Sequence, residues 1–281
     1  MKLYNYQIVK NSLPEKGLKK ECNEVFLSQK KLILSESCKK LYTFNNNQGR
    51  EISLCMLPHS FVFEVKDVVS FECFSKTNEI FYQLHKQGNQ ELLDYWFTHT
   101  LLPIFFTVSN KYYFLHAGAV MVNQKSVLFM ADSMGGKSTT TDYFVQQGHT
   151  MISDDKVGTF EEDGKFKLVS SYPCRRPYRK FEDLGIKVEN FQKSVTSLDL
   201  VYMLDISTSY NSVEFVELKG VEKVSLLIRG TDIKLAILQK ERFAHITRLA
   251  NATPVYRVKI PKDLERLAEV YSEIVKHTKE V

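Results

Sequence analysis

The chain has 281 residues, of which 43% are hydrophobic and 25% charged, and its formal net charge at pH 7 is +5. These proportions are close to those of ordinary globular proteins, and the length suits one large domain or two small ones. No apolar run approaches the roughly 18 residues of a membrane-spanning helix. The basic residues are not gathered with aromatics as nucleic-acid binding requires. The sequence therefore predicts neither a membrane span nor a nucleic-acid partner.

The first residues lack the charged and then apolar pattern of a secretory signal peptide, so we expect a cytoplasmic location. The cysteines are scattered and odd in number, and none forms a C-x-x-C pair. This distribution predicts reduced thiols and no structural zinc site. The five cysteines are Cys22, Cys38, Cys55, Cys73 and Cys174.

Residues 1–105 are predicted to form a β-rich region. Alternating apolar and polar residues indicate strands at 41–44, 51–55, 60–65 and 69–73. The Asn-rich stretch 45–49 is typical of a turn between the first two. An amphipathic pattern then predicts a helix from Gln90 to about Phe106, which Pro103 is expected to bend or to end early.

The next segment predicts a strand hairpin followed by a phosphate-binding loop. Strands are expected at 120–123 and 126–130, with His116 at the entry to the hairpin. Residues 131–138 read Ala-Asp-Ser-Met-Gly-Gly-Lys-Ser, which matches the pattern G-x-x-x-x-G-K-[ST] except that Ala131 replaces the first glycine. A helical pattern follows from about residue 138 to 147. Backbone N–H groups of such a loop, together with the helix N-terminus, can bind phosphate oxygens.

This motif assigns nucleotide-binding roles within the loop. Lys137 would reach the β- and γ-phosphates of a nucleoside triphosphate, and the Ser138 hydroxyl would be a ligand of Mg²⁺. An ordinary glycine-rich turn before a helix is the alternative, although it would not require Lys and Ser directly after the glycine pair. The predicted nucleotide-binding residues are Ser133, Met134, Gly135, Gly136, Lys137, Ser138 and Thr139.

Two adjacent carboxylates, Asp154 and Asp155, follow one helix after the loop, at the end of a short predicted strand. Phosphoryl transfer needs a group that holds the metal ion and a base or orienting group at the acceptor hydroxyl. Side chains that follow one another on a strand point in opposite directions, so two acids at a strand end could divide these tasks. A solvated turn is the alternative.

A hairpin with Asp163-Gly164 at its turn is predicted for residues 156–170. It precedes a Pro-rich loop whose arginines, Arg175, Arg176 and Arg179, could bind a transferring phosphoryl group or an acidic acceptor. A solvated loop is equally consistent with this composition. Further strands are expected at 198–205 and 212–218, and helices at 220–229 and 232–250.

Three motifs in this order, within residues 115–120, 131–138 and 148–155, resemble the catalytic domain of the HPr kinase/phosphorylase family. Residues 243–250 and 253–258 resemble the closing helix and strand of that domain. The resemblance covers roughly residues 110–275 and leaves the N-terminal region outside. More specifically, the chain resembles the broad set of HPr-kinase-related bacterial proteins, which includes free-serine kinases and kinases of peptide-modification pathways such as lasso-peptide precursor kinases.

The resemblance implies a role for each matching position. Lys137 and Ser138 correspond to the phosphate and Mg²⁺ residues, and His116 to a histidine near the transferred phosphate. Asp154 and Asp155 correspond to the acidic pair of the family, in which one acid is the base toward the acceptor hydroxyl and the other lies near the metal. We assign Asp154 as the base and Asp155 as the acid near the metal. Two departures are Ala131 and the lack of a convincing match to the segment with which HPr kinases hold HPr. HPr is therefore not the implied acceptor.

The sequence thus predicts an α/β fold, with a phosphate-loop, HPr-kinase-like core and a mixed β-sheet over residues 106–281, preceded by the β-rich region. The predicted function is an ATP- and Mg²⁺-dependent serine kinase acting on a peptide or protein, such as a lasso precursor. Kinases of free serine or of another small hydroxyl metabolite stay open, as does a nucleotide-binding protein without transfer activity. For the N-terminal region, acceptor recognition, oligomer contact, including homo-oligomer formation, and structural cover stay open.

Overall fold

The computed structural model describes residues 1–11, 23–32, 39–45, 49–132, 134–176 and 180–281. The chain divides into two compact units, each of which draws on separate stretches of sequence. The first comprises residues 1–111, 181–183 and 235–237, and the second comprises residues 112–180, 184–234 and 238–281.

The first unit is built on a β-sheet. Its described strands are β1 (Lys2–Leu3), β2 (Tyr6–Lys10), β3 (Glu24–Gln29), β4 (Lys39–Asn45), β5 (Glu51–Met56), β6 (Phe61–Val65), β7 (Val69–Phe74) and β8 (Glu79–Leu84). They pair in the order β1-β2-β3-β8-β7-β6-β5-β4. β3 is parallel to β2 and β8, whereas every other neighbouring pair is antiparallel. The strands predicted from alternation are β4 to β7; the predicted turn between the first two lies largely outside the described residues.

The helical segment of this unit does not end at Pro103. It runs through α1 (Gln90–Tyr95), a π-helical turn (Trp96–Leu101) and α2 (Leu102–Val108). Proline removes a backbone donor and crowds the preceding turn of an α-helix. Here that preceding turn is widened, with the Leu102 N–H bonded to the Phe97 carbonyl. A π-turn is a recognised way for a helix to absorb such an irregularity.

Buried aromatic rings join the sheet to the helical segment. Phe61 and Phe71 lie on β6 and β7, and each is almost completely buried. The Phe61 ring lies 6.3 Å from that of Phe105, and the Phe71 ring 6.4 Å from that of Phe97, centroid to centroid. Burying one such side chain contributes about 1.5–3 kcal/mol, so these contacts stabilise the packing of the helical segment on the sheet.

The prediction of reduced thiols is wrong for Cys55. Cys55 of β5 is disulfide-bonded. Cys73 of β7 is a free thiol that is completely buried. Burial raises the pKa of the Cys73 thiol, so it is inert as a nucleophile.

The second unit contains a mixed six-stranded sheet and a four-stranded antiparallel sheet. Its described strands are β9 (Tyr113–His116), β10 (Gly118–Val122), β11 (Lys125–Ala131), β12 (Met151–Ser153), β13 (Lys156–Glu162), β14 (Lys165–Val169), β15 (Cys174–Arg175), β16 (Ile186–Lys187), β17 (Thr196–Ser197), β18 (Leu200–Ser207), β19 (Glu214–Glu217) and β20 (Val255–Pro261). The larger sheet has the order β12-β10-β11-β18-β20-β19, and the smaller has the order β17-β14-β13-β9. In the larger sheet β11, β18 and β20 are parallel.

Helices cover both faces of the six-stranded sheet. The described helices of this unit are α3 (Lys137–Gln146), α4 (Gly220–Arg229), α5 (Gln239–Ala252) and α6 (Leu267–Glu280). Neighbouring residues of a strand point to opposite faces. Phe129 of β11 accordingly packs with residues of α3 and α6, whereas Leu128 packs with residues of α4 and α5. The mixed α/β architecture is the one that the sequence predicts.

The predicted hairpins are present, and one predicted helix is shorter than expected. β10 and β11 are joined by Asn123-Gln124, and β13 and β14 by Asp163-Gly164, all with positive φ as tight hairpin turns require. The helix predicted from residue 232 begins only at Gln239. Over the described residues, no helix combines the length and the apolar character needed to cross a membrane.

Candidate active site

Strand β11 leads through a short loop into helix α3. The strand ends at Ala131 and the helix begins at Lys137, with Gly136 as its N-terminal cap. Gly136 has a φ of 79°, and a Cβ at this position would lie 2.5 Å from Ile206 Cδ1, so glycine is required. The first N–H groups of a helix have no partner within it. Together with the helix dipole, such groups can bind an anion.

The methyl group of Ala131 occupies space inside this loop. A Cβ at residue 135 would lie 2.9 Å from Ala131 Cβ, and the Gly135 N–H is bonded to the Asp132 carbonyl across the turn. Alanine in place of the first loop glycine is therefore accommodated because residue 135 is itself glycine. Met134 is 95% exposed and Thr139 is exposed. Ser133 lies outside the described residues.

The two adjacent acids follow directly after β12. Asp155 has a φ of 84°, a conformation that costs a non-glycine residue of order 1–3 kcal/mol and is typical of functional sites. This turn breaks the strand alternation, so Asp154 and Asp155 line the same cavity.

Asp154 is a buried carboxylate with one oxygen held in place. Its Oδ2 accepts a 2.6 Å hydrogen bond from the Arg176 backbone N–H. Its Oδ1 is buried without a hydrogen-bond partner among the described residues. Burial raises the pKa of Asp154, and the nearby charge of Lys137 opposes this effect. The unpartnered oxygen is a proton acceptor that the fold leaves available.

Asp155 lies between two cationic or polar groups. Its Oδ1 is 3.4 Å from Lys137 Nζ and 3.2 Å from His116 Nδ1, which is also 3.2 Å from the Asp155 carbonyl oxygen. Burial lowers the pKa of His116, and the Lys137 charge lowers it further. Since Nδ1 faces two oxygen acceptors, the proton of the neutral imidazole lies on Nδ1, which leaves Nε2 as an acceptor.

These side chains surround one cavity of about 170 Å³. It is lined by His116, Ser138, Asp154, Asp155 and Arg176. Lys137 is 5% exposed and connects to the cavity through its ion pair with Asp155. Five of the residues predicted from separate motifs thus lie around a single space.

The three arginines of the predicted loop are not equivalent. Arg176 lines the cavity, whereas the Arg175 guanidinium forms an ion pair with Asp142 of α3. Arg179 lies outside the described residues.

Two further charged residues lie near the site, and no sequence motif indicates that they belong there. Lys156 Nζ lies 2.6 Å from Asp232 Oδ2, and both side chains are largely buried. Their charges act on the pKa of His116 in opposite directions. Asp232 comes beside His116 because the His116 N–H bonds the Gly230 carbonyl. That pairing joins residues more than a hundred positions apart, so no local pattern could have indicated it.

No protein-family model matches the chain, and no curated protein matches it. Among solved structures, the chain is similar to the Hpr(Ser) kinase/phosphatase from Coxiella burnetii, with 12% sequence identity and a TM-score of 0.39. The match covers 59% of this chain and 97% of that chain. At this identity and TM-score, the likeness by itself assigns neither a family nor an activity.

Proposed function

We propose that this protein is an ATP- and Mg²⁺-dependent kinase that transfers a phosphoryl group to a serine-type hydroxyl. The observation that carries the proposal is the single cavity lined by Ser138, His116, Asp154, Asp155 and Arg176 at the start of α3. It combines a helix N-terminus, which suits phosphate, with a carboxylate that can accept a proton. Catalysis of phosphoryl transfer consists mainly of positioning and neutralisation of charge, so these are the groups that it needs.

The phosphates of the nucleotide are expected at the loop and the first turn of α3. Lys137 Nζ and Asp155 Oδ1 are 3.4 Å apart, which is long for a charge-assisted hydrogen bond. The ammonium group can therefore turn to a phosphate oxygen with little loss. His116 and Arg176 lie on the wall of the same cavity. They would offer a neutral imidazole and a permanent positive charge to the transferring group.

The oxygen donors present fit Mg²⁺. This ion is usually held by one or two protein oxygens, waters and substrate phosphates, not by a complete protein cage. The Ser138 hydroxyl and the Asp155 carboxylate line the cavity and would hold it. When bound, the ion would neutralise charge on the phosphate oxygens.

Asp154 is assigned as the base. The acceptor oxygen would attack the γ-phosphorus, the bond from phosphorus to the β,γ-bridging oxygen would break, and ADP would leave. The hydroxyl proton would pass to Asp154 Oδ1, which is buried without a partner among the described residues. Burial raises the pKa of Asp154, and a base works better as its pKa approaches the working pH.

For the acceptor we propose a peptide or protein. In the first unit, β1 and β4 form the two edges of the eight-stranded sheet among the described strands. An extended peptide can add to an exposed edge strand through backbone hydrogen bonds. Free serine is the second candidate, favoured by the small volume of the cavity, about 170 Å³.

The test is incubation with ATP and Mg²⁺ in the presence of either free serine or a library of serine-containing peptides. Transfer is read by mass spectrometry of the acceptors, and Asp154→Asn is the matched control. We expect faster phosphorylation of peptides than of free serine, and none with the control. If only free serine is phosphorylated rapidly, the proposed peptide acceptor is wrong and free serine takes its place. ATP binding without transfer to any acceptor would overturn the proposed kinase.

A further inference from the structure

A short β-ribbon crosses beside the cavity. β15 and β16 are antiparallel, with Cys174 opposite Lys187 and Arg175 opposite Ile186. The Val188 N–H bonds the Pro173 carbonyl at 2.8 Å and extends the pairing. We call residues 173–176 and 186–188 the site ribbon.

Two consecutive residues of the site ribbon contact other elements of the unit. The Arg175 guanidinium pairs with the Asp142 carboxylate in the middle of α3, and the two side chains are only 20% and 17% exposed. The next residue, Arg176, donates its backbone N–H to Asp154 Oδ2 at 2.6 Å. The ion pair and the hydrogen bond thus lie one residue apart.

We propose that Arg175 is a positioning residue, whose ion pair with Asp142 fixes the site ribbon so that the Arg176 N–H orients the Asp154 carboxylate. The inference rests on the proposed kinase function for its effect on turnover. Asp142 belongs to the helix that begins at Lys137. The pair therefore connects the phosphate-binding helix to the base without itself touching either substrate.

Three features of the geometry favour this role over a simple surface ion pair. First, both charges are mostly shielded from water, so the pair is stronger than an exposed one. Second, the two Asp142 oxygens have separate partners, Oδ1 the Arg175 guanidinium and Oδ2 the Gln146 side-chain amide, and this restricts the direction of the carboxylate. Third, the other oxygen of Asp154 has no partner among the described residues, so the Arg176 N–H is the hydrogen bond that sets the rotation of the carboxylate.

This assignment separates two adjacent arginines. Arg176 lines the cavity and can meet the transferring phosphoryl group or the acceptor. Arg175 acts through Arg176 and does not line the cavity. Substitution of Arg175 should therefore lower the rate of transfer and leave ATP binding nearly unchanged.

The experiment compares the parent chain of 281 residues with Arg175→Ala, Asp142→Ala and the charge-swapped double variant Arg175→Asp/Asp142→Arg. The matched control is Arg257→Ala, which removes an exposed ion pair with Glu222 on another element. Turnover is measured with ATP, Mg²⁺ and a serine-containing peptide that the parent phosphorylates. We expect kcat to fall about tenfold to a hundredfold in each single variant, as misplacement of a reacting group does. KM for ATP should change little.

The swapped variant should recover most of the lost kcat, since it restores the pair with the charges exchanged. A merely structural pair would lower the folded fraction and not kcat per folded molecule. A fall in kcat no larger than that of Arg257→Ala would overturn the inference, and so would a swapped variant as slow as the single ones.

A second measurement does not depend on turnover. Hydrogen–deuterium exchange at the Arg176 amide should be faster in Arg175→Ala than in the parent, and close to the parent in the swapped variant. Unchanged exchange would overturn the positioning role. The parent could transfer no phosphoryl group while amide exchange in the parent and the variants follows the expected order. In that case the proposed function fails, and the positioning of Asp154 by Arg175 stands.

Discussion

At the scale of single residues, Asp154 would serve transfer as the base of the proposed kinase, whereas its burial opposes folding. The carboxylate is 5% exposed, and its pKa is raised by burial. Where the folded state raises the pKa of an acid, the ionised form is the less stable one in the fold. Stability is therefore lost as pH rises from the unfolded pKa through the folded one, and the full cost is present above the folded pKa.

We predict that Asp154→Asn abolishes transfer and raises the melting temperature at pH 7. The amide oxygen can still accept the hydrogen bond from the Arg176 N–H, while the buried charge is removed. Such exchanges of activity for stability are common at active sites. Thermal unfolding at pH 7 and mass spectrometry of the acceptor measure the two effects. A melting temperature lower than that of the parent would show that the ionised Asp154 carboxylate stabilises the fold, and the predicted cost of its burial would be wrong.

Lys137 is the second residue with a defined expectation. Lys137→Ala should lower turnover about a hundredfold or more, as removal of one fixed group that stabilises transition-state charge does. The ammonium group is buried at the start of α3, where it would meet phosphate oxygens. Turnover and ATP binding by calorimetry are measured beside Lys219→Ala, whose side chain is 79% exposed. Equal turnover in the parent and Lys137→Ala would remove the phosphate-binding assignment.

At the scale of elements, α5 packs on the four-stranded sheet through a buried histidine. The His245 ring stacks on Tyr113 with 4.4 Å between centroids, and its Nε2 lies 2.9 Å from Thr159 Oγ1. Burial lowers the pKa of His245 to about 4. The fold therefore requires the neutral imidazole, and protonation works against the packing of the helix.

We predict that the free energy of unfolding falls as pH is lowered from about 6.5 to about 4. The pKa of this histidine is lower in the folded state than in the unfolded state. Its contribution to the free energy of unfolding is therefore complete above the unfolded pKa and is lost as pH falls through the folded pKa. The slope from this group approaches about 1.4 kcal/mol per pH unit within that window. Urea unfolding of the parent and of His245→Gln across this range measures it. Parallel curves for the two proteins would assign the acid sensitivity to other groups.

The elements that the sequence predicted well are those with local signals. The turns at Asn123-Gln124 and Asp163-Gly164 contain residues that tolerate positive φ. The helix predicted at 220–229 is α4 as observed. Strand β3, in contrast, is set by parallel pairing with β2 and β8, and the sequence analysis did not find it. Such pairings depend on distant partners and leave no turn signature.

The residues of the candidate site also differ in whether a local sequence pattern indicates them. The loop motif and the acid pair are short patterns, so Ser138, Asp154 and Asp155 could be named from the sequence before their common cavity was known. The ion pairs of Asp142 with Arg175 and of Asp232 with Lys156 could not, because each joins residues that are far apart in the sequence. Of the two expectations for Pro103, the early end of the helix is wrong, because the helix continues past this residue to Val108 after a π-turn.

At the scale of the whole molecule, the first unit includes a short segment from much later in the chain. Glu182 receives two hydrogen bonds from Arg50, at 3.0 and 3.1 Å, and one from the Trp96 indole N–H at 2.8 Å. The Phe181 ring lies 6.2 Å from that of Trp96. Residues 181–183 thus complete the polar and aromatic contacts around Trp96, which is the single tryptophan of the sequence. Its fluorescence therefore reports on the first unit.

We predict that Glu182→Ala lowers the stability of the first unit by about 1–3 kcal/mol, because it leaves a largely buried indole donor without its acceptor. Glu182→Gln should cost less, since an amide oxygen can still accept from the indole while the charge opposite Arg50 is lost. The matched control is Glu189→Ala, at an exposed position of the second unit. Urea unfolding is monitored through Trp96 fluorescence. Glu182→Ala should be the least stable variant, Glu182→Gln should be more stable, and Glu189→Ala should be the most stable of the three. If Glu182→Ala unfolds at the same urea concentration as Glu189→Ala, residues 181–183 do not contribute to the stability of the first unit.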